Sequence, residues 1–66
     1  MPRPFNEGAA VVVHYLGTTE AGTVERIEDD GRTLVVVTEH DDVLHFHLMA
    51  STYFITADHS ARLTHA

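Results

Sequence analysis

The chain has no cysteine, no lysine and no tryptophan. Without cysteine it can build neither a disulfide scaffold nor a thiolate zinc site, the two usual staples of a very small domain. Without lysine, its positive charge rests on four arginines against ten acidic residues, a formal net charge of −6 with histidine neutral. That balance repels a phosphate backbone and disfavours general nucleic-acid binding. No apolar run approaches the length of a membrane span. Met1-Pro2-Arg3-Pro4-Phe5 lacks the apolar stretch of a secretory signal, so the expected setting is cytoplasmic, with no membrane contact. At 66 residues there is room for one domain. A chain this small buries only about 60% of its unfolded surface, so it needs a tight core, a partner subunit or a histidine metal site.

What the chain does have is strand chemistry. Eight Val, two Ile and eight Thr make 18 of 66 residues β-branched, the side chains that pack best on a pleated surface. Turn-forming clusters recur at short intervals: Asn6-Glu7-Gly8, Gly17 to Gly22, Asp29-Asp30-Gly31, Glu39 to Asp42 and Asp58-His59-Ser60. The apolar runs between them have strand length, and no window holds helical periodicity over three turns. The spacing predicts an all-β fold, a small barrel of five or six antiparallel strands over residues 9–66, preceded by an extended tail, residues 1–8. Strands are expected at about 9–16, 22–28, 32–39, 43–49, 53–56 and 61–64. Asp30-Gly31 marks a hairpin turn, and residues 50–52 suit a 3₁₀ turn. Val11, Val13, Val24, Ile27, Leu34, Val36, Leu44, Phe46, Leu48 and Leu63 are the predicted core, with Phe5 pinning the tail. Leu34-Val35-Val36-Val37 is apolar on both faces and calls for cover from the tail or a second subunit.

Gly8, Val11, Val13 and Leu16-Gly17, then Gly22-Thr23-Val24-Glu25-Arg26-Ile27, Asp29-Asp30-Gly31-Arg32 and Leu34 to Val37, together resemble the KOW and Tudor group of SH3-like barrels. The resemblance spans residues 8–37. It implies that Gly22 turns the chain out of a loop and that Val24 and Ile27 point inward across a bulged strand. It also implies contact with RNA or protein through the loop before Gly22. Here that loop carries Glu20 and no base, a departure that weighs against RNA. Tyr15 and Tyr53 are the aromatics left for a methyl-ammonium cage, fewer than such a cage requires.

Six histidines are spread along the chain. His45 and His47 stand on one face of a strand, about 7 Å apart, within range of a shared divalent ion. A third ligand could come from His40, Asp41 or Asp42, or from His14. The competing reading is a solvent-facing stripe opposite Leu44, Phe46 and Leu48. Nucleophilic catalysis finds no support: Asp58-His59-Ser60 are sequence neighbours in a turn, which cannot form a relay. No catalytic function and no cofactor are expected. The expected function is binding another protein or a second copy of this chain. The candidate surface is Tyr15, Val35, Val37 and the Tyr53-Phe54 edge, which would serve a symmetric homodimer. Arg26, Arg32 and Arg62 are the residues a KOW-like role in transcription or translation would use.

Overall fold

The structure is a computed structural model that describes residues 5–49 and 53–66. Six strands form one closed antiparallel barrel: β1 (Ala10–Tyr15), β2 (Thr18–Glu28), β3 (Thr33–Thr38), β4 (Val43–Met49), β5 (Tyr53–Thr56) and β6 (Ala61–His65). Each strand pairs with its neighbour in sequence, and β1 pairs with β6 to close the sheet, Val13 opposite Leu63 and Tyr15 opposite Ala61. This all-β barrel is compatible with the SH3-like expectation. The period of two decides what fills it. Val11 and Val13 of β1, Val24 of β2, Leu34 and Val36 of β3 and Phe46 of β4 are at most 1% exposed. Phe54, Ala61 and Leu63 complete the cluster, with Ile27, Leu44 and Leu48 packed at its margin.

Phe5 joins this core at one end. Its ring meets Phe54 edge-on at 5.5 Å and stacks on His65 at 4.1 Å. The segment behind it is tied down by Gly8 N–H donating to Val24 O at 2.7 Å and Val24 N–H donating to Ala9 O at 3.0 Å. A bulge between Val24 and Arg26 shifts the β2–β3 register. That extra residue lets Val24 and Ile27 address the same interior, as the resemblance implies.

Gly17 to Gly22 is not a loop. Leu16 and Gly17 make a two-residue turn, and Thr18 to Ala21 already pair with β1. Gly17, at φ +85°, takes the left-handed backbone such a turn demands. Gly22 therefore does not turn the chain. It lies inside β2 opposite Val11 and Thr38, where a Cβ would sit 3.0 Å from Val36 Cγ1 and 3.2 Å from Val37 O. Its role is close approach of two strands across the barrel wall. The expected Asp30-Gly31 hairpin turn is observed, set within the four-residue connection between the paired Glu28 and Thr33. Asp29–Gly31 form a left-handed 3₁₀ turn closed by Arg32 N–H donating to Asp29 O at 3.1 Å, with Asp30 at φ +55° and Gly31 at φ +92° as the central residues that a hairpin turn of this kind demands. The 3₁₀ turn expected at 50–52 and the path of Pro2 and Pro4 lie outside the described residues.

Candidate functional site

β5, β6 and β1 stand side by side, and the register aligns one outward row across them. Ile55 lies opposite Arg62, and Arg62 lies opposite His14. On the far side of β5, Ile55 lies opposite His47 of β4. Beyond the row, the β1–β2 turn raises Leu16, and the β5–β6 turn raises His59 and Ser60. Together these residues border a surface depression of about 300 Å³ lined by His14, Tyr15, Leu16, Ile55, His59, Ser60, Ala61 and Arg62. Leu16 is fully exposed at its rim. His14 Nε2 and Thr64 Oγ1 share a 2.7 Å hydrogen bond on the depression's flank. The only ion pair an arginine makes among the described residues is Arg26 with Glu28, at 3.4 Å. Arg62 thus stands without a carboxylate partner.

A second polar cluster caps one mouth of the barrel. Glu20 pairs with Val13, so its side chain turns inward and only 9% of it is exposed. The Tyr15 hydroxyl donates to Glu20 Oε1 at 2.8 Å, and His40 Nδ1 bonds the other oxygen, Oε2. Burial, the bond to Glu20 and the nearby Glu20 and Asp42 charges push the Tyr15 hydroxyl up to about 12. Glu20 is held below the usual carboxylate range, first by His40 and then by Tyr15. His40 is raised in turn by Glu20. Thr38 builds the loop that delivers His40: its hydroxyl accepts the backbone N–H groups of His40 at 3.3 Å and Asp42 at 3.2 Å.

Ligand atoms of Glu20, Glu39 and His40 lie within 4.8 Å of one another, the one grouping of three potential metal donors that close among the described residues. It does not include His45 or His47. Those two stand exposed on the outer face of β4, with His47 Nδ1 beside Thr33 Oγ1 at 3.4 Å. His14 is three strands from His47, about 14 Å around the barrel wall, and His40 is engaged by Glu20. Among the described residues no group of three close donors joins His45 or His47 to His14, His40, Asp41 or Asp42.

The surface expected for a homodimer is not assembled either. Val35 and Phe54 are 1% and 2% exposed in the single chain. Val35 faces away from the core cluster, but Arg26 and His45 flank it in register. Val35 is thereby covered from within the chain. Phe54 pairs with both β4 and β6 and presents no open edge, while Tyr53 pairs with Met49 of β4 alone. Tyr53, at 40% exposed, and half-buried Tyr15 and Val37 retain surface. The three arginines do not converge. Arg26 and Arg32 lie at the β2–β3 end, beside Glu28, Asp29 and Asp30. Arg62, level with His14 and Thr19, is about 20 Å away along the strand direction.

In the β5–β6 turn the Ser60 hydroxyl donates to Asp58 Oδ1 at 2.7 Å, and so does Ser60 N–H at 3.0 Å. The Thr56 hydroxyl donates to the same oxygen at 2.8 Å. These bonds hold Asp58 down to about 2, those from Ser60 and Thr56 side chains contributing most. His59 takes φ +62°. Asp58 and Ser60 are thus bonded to each other as turn formers, an arrangement Asp and Ser make locally.

Leu16, His14 with Arg62, and Glu20 with His40 do not stand out as sites in the sequence. Leu16 beside Gly17 carried a signal, a large apolar residue where a turn favours polar ones. The other pairs meet only through strand register. No family model, curated protein or solved structure matches the chain. No helix among the described residues is long and apolar enough to cross a membrane.

Proposed function

We propose that this chain is a non-catalytic interaction module, a small closed barrel that binds another protein on its outer surface. The observation that carries the reading is Leu16, fully exposed at the rim of a concave surface bordered by Ile55 and Tyr15. The interior supports the same reading from the other side. Phe46, Leu34, Val11, Val13, Val24 and Val36 fill it at 0–1% exposure, so a ligand has the outer wall to use. Another depression of about 390 Å³ on that wall runs along Ala10, Ala21, Gly22, Thr23, Val37, Thr38 and Glu39. The KOW and Tudor resemblance of residues 8–37 fits a binding role. The scattered arginines favour a protein over RNA as its object, because RNA binding rests on several phosphate contacts made together. A random peptide library panned against the folded chain tests the proposal. Recovered peptides should shift the amide signals around Leu16, and Leu16→Ser should weaken them about tenfold without lowering the melting temperature. Peptides that bind equally well to Leu16→Ser, or a library that yields none, would refute it.

A further inference from the structure

Acidic residues are segregated around this barrel. Of the six strands, β2 alone contains acidic residues, Glu20, Glu25 and Glu28; six of the other seven acids occupy the segment before β1, the 3₁₀ turn and the β3–β4 turn. The last, Asp58, belongs to the β5–β6 turn, and its carboxylate is bonded to Ser60 and Thr56. The wall from β4 through β5 and β6 to β1 has no acid at all. It carries His47, Arg62 and His14 in one cross-strand row. The depression beside this row is lined by no carboxylate, although the molecule has formal charge −6.

We infer that this depression binds an acidic segment of a partner protein, with a carboxylate seated on Arg62 and an adjacent apolar side chain against Leu16 and Ile55. The inference rests on the interaction-module reading and names the partner's chemistry. Arg62 offers a planar fork of donors that matches a carboxylate. Its neighbours in the row, Ile55 and His14, bring no competing anion. The apolar half comes from Leu16 at the rim and half-buried Ile55 opposite Arg62, so one ligand residue of each kind can be engaged at adjacent positions. A polyanion without apolar groups would use only Arg62 and leave Leu16 in water. The acidic turns and β2 face repel a partner that approaches elsewhere, so charge also sets the side from which an acidic segment docks.

The test titrates the isotope-labelled full chain with three probes followed by amide shifts. They are a capped tetrapeptide alternating leucine and aspartate, its counterpart with lysine in place of aspartate, and an oligouridylate. The leucine–aspartate peptide should bind saturably and shift His14, Leu16, Ile55 and Arg62. Arg62→Gln should weaken it about tenfold or more, the effect of removing a charged hydrogen-bond partner. Leu16→Ser should weaken it as well, and Arg62→Lys should retain part of the affinity. Both arginine variants change an exposed side chain and should melt with the parent. The inference is overturned by an acidic peptide that does not bind, by binding that Arg62→Gln leaves unchanged, or by a stronger response to the lysine peptide or oligouridylate. A peptide that binds at Leu16 regardless of Arg62 removes acid recognition but keeps the interaction module. A molecule that binds no peptide loses both.

Discussion

Replacing Thr56 by Val changes almost no volume and removes one hydroxyl on which the β5–β6 turn is organised. Thr56 Oγ1 accepts the backbone N–H groups of Ser60 and Ala61, both at 3.1 Å, while donating to Asp58 at 2.8 Å. Ser60 is exposed and keeps Asp58 Oδ1 as an acceptor. Ala61 is 3% exposed, so its amide loses an acceptor where water does not reach. Stranding one buried donor costs about 1–3 kcal/mol. The extra methyl returns at most about 0.8 kcal/mol where it is fully buried. The net expectation is a loss of about 2 kcal/mol, a large part of the roughly 3–10 kcal/mol that a domain of this length possesses. For a domain of this size that lowers the melting temperature by about 8–16 °C. Urea denaturation followed by circular dichroism should show a lower midpoint at unchanged slope, since the surface exposed on unfolding is the same. Thr56→Ser is the control. It keeps the hydroxyl and loses only a methyl, so it should cost under about 1.5 kcal/mol. A Thr56→Val loss below about 0.5 kcal/mol, or a Ser variant as unstable as the Val variant, would show that the hydroxyl does not hold the turn.

Phe46→Ala should cost about 3–5 kcal/mol, because Phe46 is wholly buried at the barrel's centre; chemical denaturation is expected to find the variant largely unfolded. Tyr15 should resist ionisation until about pH 12, visible as a late step in absorbance at alkaline pH, and Glu20→Gln should bring that step down. The raised Tyr15 value means that stability present below its ordinary value of 10.0 is lost as pH climbs toward 12. Glu20 and His40 set a second window. His40 is raised, so its contribution is complete below its ordinary value of 6.5 and is lost as pH rises through its folded value. Glu20 is lowered, so its contribution is complete above its ordinary value of 4.5 and is lost as pH falls through its folded value. The pair should therefore support the fold best between about pH 4.5 and 6.5. A proton titration of the His40 ring, repeated in Glu20→Gln, checks the coupling: the variant ring should titrate at lower pH.

The strands were legible because this barrel obeys the simplest rule of its class. β4 alternates without exception, Leu44, Phe46 and Leu48 inward against His45 and His47 outward, and its predicted span matches the observed one residue for residue. The strand carrying Val35 was legible as an element but not in its surroundings. Nothing local says that Arg26 and His45 will flank Val35, since that depends on a bulge at Glu25 and on register across two ladders. Gly22 misled for a related reason. A glycine after Thr18-Thr19-Glu20-Ala21 reads as the exit of a polar loop, yet the demand for glycine comes from Val36 and Val37 on the facing strand.

The candidate sites were less legible because each depends on residues far apart in sequence. His14 and Arg62 are 48 positions apart and meet only because β6 closes against β1. His45 and His47, two residues apart, stand out in the sequence, but sequence proximity on a strand supplies two ligands and says nothing of a third. Register instead gives His47 a place in a row with Ile55, Arg62 and His14. Closure has a further consequence for function. An open barrel could recruit a partner strand along its edge, with backbone hydrogen bonds supplying affinity whatever the sequence of the partner. A sheet closed by β1 and β6 leaves only short stretches paired on one side, so on the proposed reading recognition falls mainly to side chains on the outer wall. On this wall the side chains that combine exposure, concavity and unmatched charge are Leu16, Ile55 and Arg62. On the proposed interaction-module reading, a partner selected by them is chosen by its side chains, which is why single substitutions at Leu16 and Arg62 are decisive tests of that proposal.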